Sequence, residues 1–230
     1  YWLHCETSAE LLAAGQQIRD EHSTIGEIDF LLRFEGRVIH IETAIKFYLQ
    51  AQANPQWQDF LGPTTAHDSL WKKTCHLAQK QLPLGHHEQT LKRWELDVAP
   101  ASYALIKGYL FYPWSEFSPA QELNGIARSH PRGIWARSND LPFHHFPEVE
   151  YWAPISKPDW VGPYRVSAQT ALPLTKEDLT TCIYSHFSQS SSPVLIASLA
   201  KSASGILEER HRFMIVDSKW PPSSENRCSD

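Results

Sequence analysis

The stretch Gly26-Glu27-Ile28-Asp29-Phe30-Leu31-Leu32-Arg33, followed by Arg37-Val38-Ile39-His40-Ile41-Glu42-Thr43-Ala44-Ile45-Lys46, decides the fold of this chain. Apolar residues, many of them β-branched, fill both pieces, so each piece predicts a β-strand. Between them, Phe34-Glu35-Gly36 predicts a tight turn. The sequence therefore predicts two strands joined as a hairpin.

Three carboxylates interrupt these apolar strands. Side chains alternate between the faces of a strand, so Glu27 and Asp29 share one face, and pairing of the strands could bring Asp29 close to Glu42. A buried carboxylate costs free energy unless it is paired or binds a cation. Mg²⁺ is held in proteins by one or two carboxylates, waters and substrate phosphate. Asp29 and Glu42 are therefore candidate metal ligands, with Glu27 beside them.

The pattern resembles the PD-(D/E)XK nuclease superfamily, in which an Asp ends one strand and Glu-x-Lys or Asp-x-Lys lies on the next. Gly26-Glu27-Ile28-Asp29 is similar to a segment of Holliday-junction-resolvase-like members. More of the chain, roughly residues 1 to 165, resembles an uncharacterised bacterial family called domain of unknown function 1853. The similar segments are 26–33, 40–49, 61–63, 108–113, 123–137 and 157–160, together with Asp68, Lys72, His76 and Gln81.

The resemblance implies a restriction-endonuclease-like α/β core and catalysis with Mg²⁺ or Mn²⁺. Asp29 and Glu42 would bind the cation, assisted by Glu27 or by a carboxylate on a helix upstream of Tyr1. We expect that helix because one precedes the first strand in the resembled families. The superfamily's lysine lies two residues after the acid, where this chain has Ala44. We predict that Lys46 is a migrated catalytic lysine.

The geometry of Glu42 and Lys46 depends on the local structure. In a strand they are roughly 13 Å apart, and in a helix they become neighbours at about 5–6 Å. Either structure puts them on one face. A plainer interpretation also stays open, in which Glu42 and Lys46 form a simple ion pair and Asp29 and Glu27 line the solvated face of an edge strand.

Composition and charge limit the class of protein. Apolar residues make up 42% of the 230 residues and aromatic residues 12%, which predicts a folded globular protein. No apolar run reaches the length of about 20 residues that a membrane span needs, and four scattered cysteines without CxxC spacing favour a reducing compartment. We predict a cytoplasmic protein. The formal charge of −5 argues against a general DNA-degrading enzyme, because DNA binding depends on neutralising phosphates.

Downstream segments supply further candidate site residues. After Pro63 we predict a helix beginning near Thr65 or Asp68, with Leu70, Trp71, Leu77 and Leu82 as core contacts. Lys72, His76 and Gln79 lie on roughly one side of it, and both a site-facing and a solvent-facing role stay open. The pairs His86-His87 and His144-His145 lack helical spacing to a further ligand, which favours surface loops over a zinc site.

The second half predicts more strands and one further helix. Tyr103–Tyr112 predicts a buried strand, and Arg128, Arg132 and Arg137 with Trp135 form a cluster that could bind phosphates and stack a base, although core packing is the better interpretation of Trp135 alone. Thr175 and Asp178 predict a capping box for a helix that ends near Phe187. Segments 193–199 and 212–216 predict strands added to the sheet edge or packed beside it.

These observations predict one α/β domain with a mixed sheet of four or more strands flanked by helices. A nuclease-like core would span residues 1–113, a loop-rich and helix-strand extension 114–219, and a flexible tail 220–230. The predicted function is metal-dependent hydrolysis of nucleic acid, with contacts from Lys72 and the three arginines. The alternatives are a non-catalytic nuclease-fold protein that binds nucleic acid or a protein partner, and a hydrolase or binding protein for a small phosphorylated ligand.

Overall fold

The computed structural model describes residues 8–117, 123–167 and 173–221. Ten strands form one mixed sheet, accompanied by three α-helices. The strands are β1 Glu10–Arg19, β2 Thr24–Phe34, β3 Arg37–Gln50, β4 Phe60–Leu61, β5 Ala101–Pro113, β6 Arg132–Arg137, β7 Tyr151–Ile155, β8 Arg165–Ser167, β9 Val194–Lys201 and β10 Ile206–Val216. The helices are α1 Leu70–His76, α2 Glu88–Arg93 and α3 Lys176–Gln189. The predicted α/β class with a mixed sheet is confirmed.

The strand order is β1-β2-β3-β5-β6-β10-β9-β7, with β4 paired to β3 and β8 to β10. β6 runs parallel to both β5 and β10, whereas β1–β2, β2–β3 and β9–β10 are antiparallel. The prediction that the last two strands lie at or beside the sheet edge is wrong, because β10 lies between β6 and β9.

The β2–β3 hairpin forms as the sequence predicts. Its ladder ends in the pair Phe34↔Arg37, so Glu35 and Gly36 form a two-residue turn. Both have positive φ, 49° and 73°, as a turn that matches the twist of the flanking strands requires. Glycine adopts this conformation at no steric cost, which accounts for Gly36.

Helix α1 continues into a π-helical turn, Leu77–Gln81, and a 3₁₀ turn, Leu82–His86. The predicted core contacts Leu70 and Leu77 are buried, but Trp71 is 52% exposed, so its assignment to the core is wrong. The reason is that Trp71 follows Leu70 directly and lies about 100° further round the helix. The predicted N-cap of α3 is confirmed, since the Thr175 hydroxyl accepts from the Asp178 backbone N–H at 3.1 Å. The Asp178 carboxylate accepts from the Thr175 hydroxyl at 2.8 Å rather than from the Thr175 backbone N–H of a capping box.

The chain divides into two compact units, residues 1–46 with 71–107 and residues 47–70 with 108–230. The first has a core built on Ala13, Ile18, Ile28, Leu31 and Leu84. In its part of β5, Tyr103, Leu105 and Ile106 are exposed, so the prediction of a fully buried strand holds only for the later residues Leu110 to Tyr112.

The described cores of the second unit are centred on Phe111, Trp135 and Met214, on Trp152 and Phe213, and on Tyr48 and Tyr112. Trp220, which we placed in the flexible tail, is buried in the first of these cores, and its indole N–H donates to the Gly62 carbonyl at 3.2 Å. The rest of the predicted tail, from residue 222, lies outside the described residues. No helix in the described ranges is long and apolar enough to cross a membrane.

Candidate functional site

The two predicted acids lie where the β2–β3 backbone ladder stops. The last backbone pair in that direction is Phe30↔Ile41. Beyond it, side chains take over the pairing. The Thr43 backbone N–H donates to Asp29 Oδ2 at 2.7 Å, and the Asp29 backbone N–H lies 3.3 Å from Glu42 Oε1. Each carboxylate thus accepts a hydrogen bond from the backbone of the opposite strand, which fixes Asp29 and Glu42 next to each other.

Asp29 is half-buried and is held from one side. Its Oδ2 also accepts from the Thr43 hydroxyl at 2.9 Å. In the described part of the chain, no hydrogen bond is made to its Oδ1. One oxygen of Asp29 is therefore fixed by Thr43, and the other has its lone pairs available for a ligand.

Glu42 is completely buried, yet both of its oxygens are hydrogen-bonded. The His40 Nε2 lies 2.7 Å from Oε1, and the Gln81 side-chain amide donates to Oε2 at 2.6 Å. A buried carboxylate is tolerated only with such partners, because desolvation of a charge costs several kcal/mol. These contacts also leave one lone pair of Oε2 without a described partner, since a carboxylate oxygen accepts two hydrogen bonds.

His40 is itself locked in place. It is fully buried, and its Nδ1 lies 3.0 Å from the Ser102 hydroxyl. Gly85 packs against this contact: a Cβ at that position would lie 2.5 Å from Ser102 Oγ and 2.7 Å from His40 Nδ1. Only glycine fits there, so the 3₁₀ turn that carries Gly85 can lie directly over the histidine.

Gln81 connects the acids to a cation. Its Oε1 accepts from Lys73 Nζ at 2.9 Å and lies 3.2 Å from His76 Nδ1. With the amide NH₂ turned towards Glu42 and the carbonyl towards Lys73, both ends of Gln81 are satisfied. A chain of hydrogen bonds therefore runs from Lys73 through Gln81 to the buried Glu42.

A family model matches residues 1–216, and its description is "Domain of unknown function (DUF1853)". The chain belongs to the DUF1853 family. Every residue of the site described above lies within the matched part of the chain. Neither the curated proteins nor the solved structures include a significant match to the chain.

Two further residues of this DUF1853 chain, Glu27 and Lys46, belong to the predicted site. Glu27 is exposed, and its carboxylate lies beside Gly15 of β1, where a Cβ would approach it to 3.8 Å. Lys46 lies on β3, which is a strand from Arg37 to Gln50, so the helical geometry considered above is wrong. By strand alternation Lys46 shares the face of Glu42 at a Cα separation of roughly 13 Å.

The structure brings fewer potential ligands together than the predicted set of three. Within residues 8–117, 123–167 and 173–221, no group of three or more His, Cys, Asp or Glu side chains is arranged to hold a metal. Of the two histidine pairs, His86, His144 and His145 are exposed, and His87 caps α2 by accepting from the Gln89 N–H. Of the three acids predicted to bind a metal, the structure places Asp29 and Glu42 next to each other.

The tryptophan of the predicted arginine cluster packs in the core. Trp135 is buried and its indole N–H donates to the Gln50 carbonyl at 3.0 Å, which confirms its interpretation as core. The Arg137 Nε donates to the Trp220 carbonyl at 2.7 Å, and the Arg132 guanidinium lies 5.2 Å above the Tyr112 ring. Arg128 is exposed. Trp135 therefore cannot stack a base, and contacts of the arginines with nucleic acid stay a prediction.

The other predicted helix residues divide between the two units. Asp68 accepts from the Tyr48 hydroxyl at 2.8 Å. Burial of the Tyr48 side chain raises the pKa of its hydroxyl, and the hydrogen bond to Asp68 raises it further. Lys72 and Gln79 are exposed.

Sequence reasoning missed the roles of His40, Thr43 and Lys73. Only His40 had a usable signal, because it precedes Glu42 by two residues in a strand and must share its face.

Proposed function

We propose that this DUF1853 protein hydrolyses phosphodiester bonds of nucleic acid with the help of a divalent cation, at the site formed by Asp29 and Glu42 on a PD-(D/E)XK-like core. The observation that carries the proposal is the end of the β2–β3 ladder, where two carboxylates are fixed side by side by Thr43 and by the backbone of Asp29. An Asp on one strand and a Glu on the next is the arrangement that the resembled superfamily uses.

The residues present fit Mg²⁺ or Mn²⁺. Asp29 Oδ1 and the remaining lone pair of Glu42 Oε2 would hold the ion, and one or two carboxylates are enough for Mg²⁺ when waters and substrate phosphate complete the shell. The ion, when bound, stabilises charge on the phosphate and lowers the pKa of a bound water. Glu27 is not required in this arrangement.

The surrounding residues prepare the two acids. His40 and Gln81 hold the Glu42 carboxylate in one orientation, and Thr43 does the same for Asp29. Such a preorganised site avoids the cost of reorienting its groups during reaction. Lys73 positions Gln81, and so indirectly Glu42, through the contact at Gln81 Oε1. Lys46, on the face of Glu42, would orient or activate the attacking water.

A second candidate is the non-catalytic nuclease-fold protein that binds nucleic acid or a protein partner. It is favoured by the complete burial of Glu42, whose two oxygens already accept from His40, Gln81 and Asp29. In that case the acid pair stabilises the hairpin and binds no ion.

One experiment separates the two candidates. The full chain is incubated with single-stranded and duplex oligonucleotides in Mn²⁺, in Mg²⁺ and in EDTA, alongside the variants Asp29→Asn and Asp97→Asn. The Asp29→Asn substitution keeps an oxygen for Thr43 but removes the charge, so cleavage should fall by at least about 10²-fold, whereas the exposed Asp97 provides the matched control. Cleavage that persists in EDTA, or that is equal in the two variants, would contradict the proposal. Absence of cleavage by the unaltered chain would favour the second candidate.

A further inference from the structure

The segment that supplies Lys73 and Gln81 has an unusual charge pattern for an acidic protein. From Trp71 to His87 the chain contains three lysines and three histidines and no Asp or Glu, although the whole chain carries a formal charge of −5. This segment comprises α1 from Trp71 onward, the π turn, the 3₁₀ turn and His87. Its own side chains therefore carry a net positive charge, which favours an anionic partner.

One side of this segment faces solvent. Lys72, His76 and Lys80 are exposed and follow one another at intervals of four residues. Four residues are about one turn of α1 and slightly less than one turn of the wider π turn that contains Lys80, so the three side chains lie on roughly one side. Trp71 lies next to Lys72 at the start of this row, and its side chain is 52% exposed. We call Trp71, Lys72, His76 and Lys80 the Trp71 face.

An exposed indole beside a row of cations suits one kind of ligand. Single-stranded nucleic acid is bound by combining basic side chains along the backbone with aromatic side chains on which bases stack. A duplex hides its base faces and cannot use Trp71 in this way. The same segment also reaches the acid pair, because the Gln81 amide donates to Glu42 and Gln81 Oε1 lies 3.2 Å from His76 Nδ1.

We infer that the Trp71 face binds single-stranded nucleic acid, with a base stacked on Trp71 and backbone phosphates on Lys72, His76 and Lys80. This inference rests on the proposed function and deepens it, because it names an unpaired strand as the substrate and gives the surface along which the strand reaches Asp29 and Glu42. It also accounts for phosphate binding by a chain with more acidic than basic residues.

Binding is measured without cleavage. Fluorescence anisotropy of a labelled oligo-dT of about 12 nucleotides, a length within the range of single-strand sites, is followed in EDTA with the full chain. Trp71→Ala should weaken binding about tenfold, since stacking is worth roughly 1–3 kcal/mol per base, and Trp71→Phe should restore part of it. Tyr103→Ala is the matched control, because Tyr103 is an aromatic residue of similar exposure, 57%, on β5.

The salt dependence tests the lysines separately from the fold. Lys80→Gln should reduce the slope of log K against log salt concentration by about 0.7, the value for one phosphate contact with a single strand. Lys157→Gln, at an exposed lysine of the second unit, should leave the slope unchanged. A destabilised fold would not change the slope in this selective way.

Several outcomes would overturn the inference. The first is equal binding by Trp71→Ala and Tyr103→Ala. The second is tighter binding of the corresponding duplex than of the single strand. The third is displacement of the oligonucleotide by polyglutamate as effectively as by unlabelled oligo-dT, which would indicate an acidic protein partner. If the single strand binds as expected but is not cut in Mn²⁺, the inference stands and the proposed catalysis fails. If it is cut while Trp71→Ala behaves like the control, the catalysis stands and the inference fails.

Discussion

Gln81→Leu tests whether the buried Glu42 depends on the contact with Gln81. The variant removes the amide that donates to Glu42 Oε2 at 2.6 Å and keeps a side chain of similar size. A hydrogen bond to a charged group contributes about 1.5–3 kcal/mol, and its loss leaves a buried acceptor with one partner fewer. Lys73 is only half-buried and His76 is exposed, so water replaces Gln81 as their partner at small cost. We expect the free energy of unfolding to fall by about 2 kcal/mol.

The expected change is measurable by thermal and urea unfolding. For a chain of this length, a loss of about 2 kcal/mol lowers Tm by roughly 4–8 °C. Far-UV circular dichroism and tryptophan fluorescence are recorded together, because coincident transitions are needed before a free energy is derived. Gln79→Leu is the matched control: Gln79 is exposed two residues earlier, and a surface substitution changes stability by at most about 0.5 kcal/mol.

A double-mutant cycle makes this prediction specific to Glu42. If Gln81 acts on the charge of Glu42, the cost of Gln81→Leu should be smaller in a Glu42→Gln background, with a coupling energy of about 1 kcal/mol or more. Equal losses in Gln81→Leu and Gln79→Leu, or additive effects with Glu42→Gln, would refute the reasoning.

Three further predictions concern Lys46, Gly85 and two histidines. Lys46→Ala should reduce turnover by about 10²-fold in steady-state assays with Mn²⁺, and Lys157→Ala is the control. A stability loss of about 1 kcal/mol with unaltered turnover would show that Lys46 is an ion-pair partner only. Gly85→Ala should lower the free energy of unfolding in urea by about 1–3 kcal/mol, because the new Cβ would clash with Ser102 and His40. The control Gly162→Ala meets no atom within 4 Å and should be neutral. Equal stabilities of the two variants would contradict the packing described. Burial lowers the pKa of His130 and of His211 in the folded chain. As pH falls, the unfolded chain therefore binds protons before the folded chain does. The contribution of the two histidines to the free energy of unfolding is fully present above about pH 6.5 and is lost below it. Tm should therefore decrease from pH 7 towards pH 5, less steeply in His130→Gln, and an unchanged slope in that variant would exclude this cause.

The hairpin and its acids could be predicted because their signals are local. Alternation, the turn at Glu35-Gly36 and the position of Asp29 and Glu42 in facing strands follow from residues less than twenty apart. The cap of α3 at Thr175 is local in the same sense. Such features need no knowledge of what packs on the sheet.

Gln81 and Trp71 could not be placed in this way. A 3.6-residue period puts Lys72, His76 and Gln79 on one side, but Leu77–Gln81 is a π turn with i→i+5 hydrogen bonds, which shifts the side chains within it away from that period. Gln81, rather than Gln79, then lies against Glu42. The exposure of Trp71 depends on which side of α1 packs on the sheet, and the apolar residues on both sides of that helix left the choice open.

The metal is the central claim, and a crystal of the full chain soaked in Mn²⁺ tests it most directly. Manganese gives anomalous scattering that locates the ion without reference to activity. The account predicts an anomalous peak bonded to Asp29 Oδ1 and Glu42 Oε2 at roughly 2.0–2.3 Å, slightly longer than the Mg²⁺ distance, and no peak in a crystal of Asp29→Asn. An acid pair without anomalous density, with Glu42 still held by His40 and Gln81, would contradict the account.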